Sequence, residues 1–349
     1  MINIFVVSTK IGTGKGGIST ALIGYVESDV FKYNVNLHPV TSHVDGKRLL
    51  PMFSAARYIL KNCSKGDVVW LHCGPWWSMI MKLLLACCAK VKGGKIYFHL
   101  HSPTLDNYLS SRIKTYLMSK MFSLANGIIV LTPWWKKRLL RKIPELDNII
   151  SVSFNPLDAN SKGMALNKST KRSVRRDHTF KVLAMARLVE DKGFEDILKS
   201  FTCLPSNFIL TIAGDGPLYD SLNEQVSSLG LESRVSFTGW VDYKDKPDLF
   251  NQHDIFFLPS KYDSFGMGFI EAMAAGLPVV ALKYQAIPDV VESGKVGVLA
   301  TDNSPVVLAD SVIECSKNLE YFSAEAKAYV LRKFDNEKIS SAILEIFYK

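Results

Sequence analysis

Short apolar runs alternate along the chain with longer segments of helical periodicity. The runs Ile2–Val7, Tyr33–Val40, Val68–Leu71, Ile96–Leu100, Ile128–Leu131 and Ile149–Val152 are rich in β-branched and apolar residues, as strands buried on both faces of a parallel sheet must be. Between them, segments such as Met52–Asn62 and Tyr108–Ala125 have helical length and an apolar face, and strand–helix alternation of this kind predicts a doubly wound α/β sheet. From about Asn160 to His178 the pattern stops in a polar, basic stretch, residues 169–177 reading STKRSVRRD. It restarts at Phe180–Ala186, Phe208–Ala213, Val235–Thr238, Ile255–Leu258, Pro278–Ala281 and Val296–Ala300, and a run of helices follows from Pro305. The expected organisation is a Rossmann-like domain over 1–160, a basic linker over 161–178, a second Rossmann-like domain over 179–335 and a last helix over 336–349. Ligands of open parallel sheets bind beyond the carboxyl ends of the strands, so two such domains predict a site in a central cleft that both face.

A length of 349 residues suits two cores better than one. With 48% apolar and 21% charged residues, the composition excludes disordered, collagen-like and coiled-coil chains. The longest apolar stretch, Met79–Ala89, is interrupted by Lys82 and falls short of the ~18 residues of a spanning helix. Residues 1–10 read as a strand rather than a signal peptide, so the cytosol is the expected compartment. The six cysteines show no CxxC and no Cys/His ligand spacing, which predicts buried thiols with neither a disulfide framework nor a metal site. The net charge of +9 conceals an asymmetry: residues 1–178 carry 26 Lys+Arg against 9 Asp+Glu, and the remainder 16 against 24. A basic half joined to an acidic half predicts an anionic partner, nucleic acid or anionic lipid, with scattered solvated lysines as the plain alternative.

Several loops carry candidate chemistry. Gly12-Thr13-Gly14-Lys15-Gly16-Gly17 fits GxGxxG after a strand and before a helix, yet the second strand ends without the acid that would hold a dinucleotide ribose. A loop presenting backbone N–H groups to a ligand is favoured over NAD binding, and a bare tight turn is the alternative. Arg187 closes the strand VLAMAR, and Lys192-Gly193 opens the next helix. Two cations and a helix N-terminus at one sheet edge suit a diphosphate; the alternative is an ion pair such as Arg187 with Asp191. Gly214-Asp215-Gly216-Pro217 follows another strand, and its glycines permit close approach or simply a turn. The densest segment runs from Pro259 to Gly276, with Asp263, then Phe265-Gly266-Met267-Gly268 at a helix start and Glu271 two turns in among small apolar residues. A carboxylate there must accept hydrogen bonds from a ligand or a neighbour. Eight residues of helical rise span about 12 Å, which argues against Asp263 and Glu271 as a glycosidase pair. His99 and His101 end the fourth strand of the first half on one side, and His101, nearer the edge, is favoured as a ligand contact over a structural histidine.

Taken together, these segments resemble the retaining, nucleotide-sugar-dependent glycosyltransferases of family four, whose fold is GT-B. The likeness also includes Asn155-Pro156-Leu157-Asp158, Phe237-Thr238-Gly239 and Ala275-Gly276-Leu277-Pro278. Where the family has a glutamate at the first of two acidic positions, this chain has Asp263. The resemblance implies catalytic roles for His101, Arg187, Lys192 and Asp263. It implies donor contacts from Gly14, Gly16, Gly17, Gly214, Gly239, Phe265, Gly266, Met267, Gly268 and Glu271 as well, with Arg187 and Lys192 on the diphosphate and Glu271 on the ribose. It implies no metal and no cofactor, a UDP-sugar in preference to other donors, and C-terminal helices that cross back to the first domain. The biology it implies is a polyprenyl-diphosphate-linked saccharide acceptor in bacterial surface polysaccharide assembly, on the inner face of the cytoplasmic membrane and without nucleic acid. A nucleotide-sugar epimerase and a nucleic-acid-binding protein are the competing classes.

The membrane expectation rests on Pro133-Trp134-Trp135-Lys136-Lys137-Arg138-Leu139-Leu140-Arg141-Lys142. If Thr132 caps this helix, Trp135, Leu139, Leu140 and Ile143 face the sheet, and Trp134 falls among Lys137, Arg138 and Arg141. An exposed Trp on a cationic face suits an anionic lipid surface, and Ser111–Leu124 extends it.

Overall fold

The computed structural model describes residues 1–9, 17–42, 49–167 and 179–348. The chain divides into two compact units, Met1–Asp158 with Phe334–Lys349, and Ala159–Lys333. In the first, β1 (Ile2–Ser8), β2 (Val35–Thr41), β3 (Val68–Cys73), β4 (Lys95–Leu100), β5 (Gly127–Val130) and β6 (Ile150–Val152) form one parallel sheet in the order β2-β1-β3-β4-β5-β6. Every residue of β3, VVWLHC, is buried, as in a central strand covered on both faces. Tyr33 and Asn34, expected to open the second strand, instead end the helix Asp29–Asn34, because Ser28 caps it by accepting from the Phe31 N–H at 3.2 Å. The long helix expected over Tyr108–Ala125 is two, Leu105–Leu109 and Arg112–Phe122, since Ser111 starts a new turn by accepting from the Lys114 N–H.

The last helix, Asn336–Tyr348, belongs to this first unit. Its Ile339, Ile343, Leu344 and Phe347 complete a core with Ile4, Val6, Trp70 and Tyr97. The Phe347 ring lies 5.3 Å from Trp70 and 4.7 Å from Tyr97, both edge to face. At the other end of the helix, the Glu337 carboxylate accepts from the Asp29 and Val30 N–H groups at 3.0 Å each, satisfying the first turn of the Asp29–Asn34 helix.

In the second unit, β7 (Phe180–Met185), β8 (Phe208–Ala213), β9 (Val235–Gly239), β10 (Ile255–Leu258), β11 (Val279–Leu282) and β12 (Gly297–Ala300) form a parallel sheet in the order β12-β11-β10-β7-β8-β9. Read from β9, this is the Rossmann order, and it reverses between β7 and β10, the position beyond which ligands of such sheets bind. Residues 161–166, assigned above to the linker, lie in the helix Ala159–Leu166 of this unit, and the remaining linker residues from Lys168 to His178 lie outside the described ones. The expectation of six buried thiols holds for Cys63, Cys73 and Cys315 only, because Cys87 and Cys203 are exposed and Cys88 is half-buried.

Candidate functional site

The candidate groups of the second unit gather where β7 and β10 end side by side. Arg187 follows β7, is exposed, and makes no ion pair with any described residue, so the pairing with Asp191 considered above does not form. Lys192 is held. Its Nζ lies 2.8 Å from each oxygen of Asp263 and 3.0 Å from the Tyr262 carbonyl oxygen, and it sits over the Tyr262 ring. Both side chains are mostly buried, at 13% and 16% exposure. The two expected residues therefore meet as a bidentate ion pair, a geometry stronger than a neutral hydrogen bond and little screened by solvent. The Asp191 carbonyl oxygen accepts from the Lys261 N–H at 2.8 Å, which ties the loop after β7 to the loop after β10.

The helix Met267–Ala274 starts beyond that second loop, with Gly266 as its N-cap in the left-handed region, φ +83°. A Cβ on Gly266 would stand 2.3 Å from the Phe269 ring, so the turn that aims the helix is open to glycine alone. Phe265 beneath it is buried. The Phe269 N–H folds back to the Gly266 carbonyl oxygen at 3.0 Å; those of Met267 and Gly268 stand in the first turn, which has no intrahelical acceptor for them. Five residues into the helix, Glu271 is 4% exposed, and its Oε2 lies 2.8 Å from Lys246 Nζ. Lys246 opens the helix Lys246–Asn251. It was missed in the sequence because no motif marks it, and only the fold brings it to Glu271.

Gly214 and Gly216 lie just past β8, and Gly239 ends β9. A Cβ on Gly214, at φ +144°, would stand 1.9 Å from the Ala186 carbonyl oxygen, so close backbone approach rather than a free turn explains this glycine. The Leu188 N–H donates to the Asp215 carbonyl oxygen at 3.0 Å, which binds the two loops together beside Arg187.

The first unit holds the other expected residues. Gly17 opens the helix Gly17–Glu27, while Gly14 and Gly16 lie outside the described residues. His101 follows β4, is 6% exposed, and its Nε2 lies 2.9 Å from Nδ1 of His72 on β3. Burial pushes the His101 pKa down to about 3, with the Lys82 charge adding to the effect, so the ring is neutral at pH 7. A grouping on which the cysteine spacing is silent appears here: His72, His99 and His101 place one nitrogen each within 4.8 Å of the others. Neighbouring parallel strands bring together residues about 30 positions apart, which spacing along one segment does not reveal. Thr132 does cap the helix Pro133–Leu140, accepting from the Trp135 N–H, and Trp135, Leu139 and Ile143 are buried. Trp134, expected to be exposed, is half-buried and packs edge to face on Trp135 at 4.6 Å, and Arg138 pairs with Asp106.

Residues 167–329, all of them within the second unit, match the family described as glycosyl transferases group 1. This unit belongs to the group 1 glycosyltransferases. Mannosylfructose-phosphate synthase of Agrobacterium fabrum is 35% identical over 33% of this chain and 28% of its own length. An uncharacterized 41.2 kDa protein in the cps region of Klebsiella pneumoniae is 22% identical over 96% of this chain and 97% of its own. Apart from the Klebsiella protein, the matches span between 28% and 58% of the curated relatives' lengths. Among solved structures, Anabaena Alr3699/HepE in complex with UDP and glucose superposes with a TM-score of 0.75 over 99% of both chains at 19% identity. Both units thus have the doubly wound architecture of the GT-B fold.

Proposed function

We propose that this chain is a retaining glycosyltransferase that moves a sugar from a UDP-sugar to a lipid-linked saccharide in the assembly of a bacterial surface polysaccharide. The observation that carries the reading is the set of groups at the β7/β10 switch point: an unpaired Arg187, a half-buried Lys192–Asp263 pair and Glu271 inside a glycine-started helix. UDP in complex with the Anabaena protein supports the choice of nucleotide, and the cps region of the Klebsiella relative supports the polysaccharide.

In this reading Arg187, Lys192 and the N–H groups of Met267 and Gly268 hold the donor diphosphate and stabilise its developing charge as it departs. Glu271 accepts from the ribose hydroxyls, held in place by Lys246. Asp263 positions Lys192 until the donor arrives, then turns to hydroxyls of the transferred sugar. The bond between the anomeric carbon and the phosphate oxygen breaks, the acceptor hydroxyl attacks from the same face, and its proton passes to the departing phosphate. His101 is assigned to the donor sugar or the acceptor by the resemblance alone.

The anionic-lipid expectation moves to the helix Arg112–Phe122. It exposes Ile113, Tyr116 and Leu117 beside Arg112 and Lys120. No helix among the described residues is long and apolar enough to cross a membrane, so the reading is a peripheral contact.

The test is mass spectrometry of the product from a panel of UDP- and GDP-sugars with a polyprenyl-diphosphate-linked acceptor, with and without excess EDTA. One added glycosyl residue from a UDP-sugar, in either condition and with the donor's anomeric configuration, is expected. Consumption of donor without acceptor would indicate an epimerase, and restoration by Mg²⁺ after EDTA would overturn the leaving-group assignment.

A further inference from the structure

His72 and His99 have no part in the reaction just described, yet they are buried in the middle of the first sheet. They are register partners on β3 and β4, and His101 stands two residues further, its N–H donating to the Cys73 carbonyl oxygen at 2.8 Å. Alternation along parallel strands puts all three rings on one face. The ring centroids of His99 and His101 are 4.2 Å apart, and those of His72 lie 5.1 Å from each. One nitrogen from each residue falls within 4.8 Å of the other two.

The hydrogen bonding of this group is incomplete. Nδ1 of His72 meets Nε2 of His101 at 2.9 Å, but Nε2 of His72 and both ring nitrogens of His99 are buried with no partner. Buried polar atoms in folded proteins are rarely left this way, and each such group costs about 1–3 kcal/mol. A ligand that accepts several imidazole lone pairs at once would remove that cost.

We propose that His72, His99 and His101 form a trihistidine site for a borderline divalent metal ion of the Zn²⁺ type. Neutral imidazoles suit Zn²⁺, Co²⁺, Ni²⁺ and Cu²⁺, whereas Mg²⁺ and Ca²⁺ require oxygen ligands, of which the group has none. A tetrahedral ion with bonds of about 2.0–2.1 Å needs its nitrogens about 3.3 Å apart, so the three rings, whose nitrogens lie within 4.8 Å of one another, must draw together to hold it. Trp70 walls the site, stacked on His99 at 5.6 Å and tilted on His72 at 4.3 Å. The buried Lys82, which donates to Ser78 Oγ at 2.6 Å, is the charged neighbour that acts against a cation. Its ammonium is itself disfavoured by burial.

The test uses the full chain without a polyhistidine tag, freed of metal and titrated with Co²⁺, then with Zn²⁺. The expected result is one Co²⁺ per chain with visible ligand-field bands, displaced by Zn²⁺, and a higher Tm in the loaded protein. His72→Phe and His99→Phe should each weaken binding by at least ~10–100-fold, the loss that even outer-shell changes produce, and Lys82→Met should tighten it. If a core variant fails to fold by near-ultraviolet circular dichroism, His101→Ala at the sheet edge supplies the same comparison. Absent bands, or equal binding by wild type and variants, would leave a hydrogen-bonded histidine stack only and overturn the proposal. Because the readout is metal binding, its failure leaves the transfer reading untouched.

Discussion

Lys246 is the residue whose role depends most on the folded structure. Glu271 is a carboxylate at 5% side-chain exposure, and Lys246 Nζ at 2.8 Å is the partner that offsets the cost of burying it there. Removing one partner of such a pair leaves the other buried and uncompensated. Lys246→Met is therefore expected to destabilise the second unit by about 1–3 kcal/mol and to raise the KM for the donor. Lys246→Met/Glu271→Gln should regain stability without regaining donor affinity, as read by urea unfolding and donor titration. Unchanged stability and KM in Lys246→Met would remove Lys246 from the site. Glu271 itself was legible in the sequence, since an acid inside an apolar helix demands a donor; its donor was not, because Lys246 lies 25 positions away in a segment without a motif. His72 escaped for the same reason, opposite His99 across a strand pair.

At the scale of elements, the last helix is the clearest structural commitment of the first unit. Its Phe347 ring fills the space between Trp70 and Tyr97 with no exposed surface. Phe347→Ala is expected to cost about 3–5 kcal/mol through lost burial and the cavity left behind, seen as a lower unfolding midpoint by circular dichroism. A change below about 1 kcal/mol would mean that the helix does not pack as described. The strands were the most legible elements, because four to six apolar residues bounded by polar loops leave few alternatives; β3, β8 and β10 fall within two residues of their expected bounds. Helix boundaries were less so. The break at Ser111 is a capping choice that apolar periodicity does not encode, and the polar composition of 161–166 conceals a helix whose Ser161 and Ala165 are buried.

At the scale of the whole molecule, the charge asymmetry and the exposed apolar residues of Arg112–Phe122 make a joint prediction. Binding to anionic vesicles in co-sedimentation is expected to weaken with salt and to fall in Ile113→Ser/Tyr116→Ser/Leu117→Ser more than in Trp134→Ala/Lys137→Ala/Arg141→Ala, since Trp134 is half-buried against Trp135. Equal binding to neutral vesicles would refute the electrostatic contact. The two-sheet architecture was readable because the strand–helix alternation stops once and restarts, whereas the strand order that brings Lys192 to Asp263 follows from a crossover no local pattern records. The central claim is that this switch point binds and activates a nucleoside-diphosphate sugar, and the transfer rate of a folded Lys192→Ala variant tests it most directly. Loss of one charged contact made in the transition state should cost about 2.7–4 kcal/mol, a ~100- to 1,000-fold fall in kcat, whereas turnover near that of the unmodified protein would contradict the account.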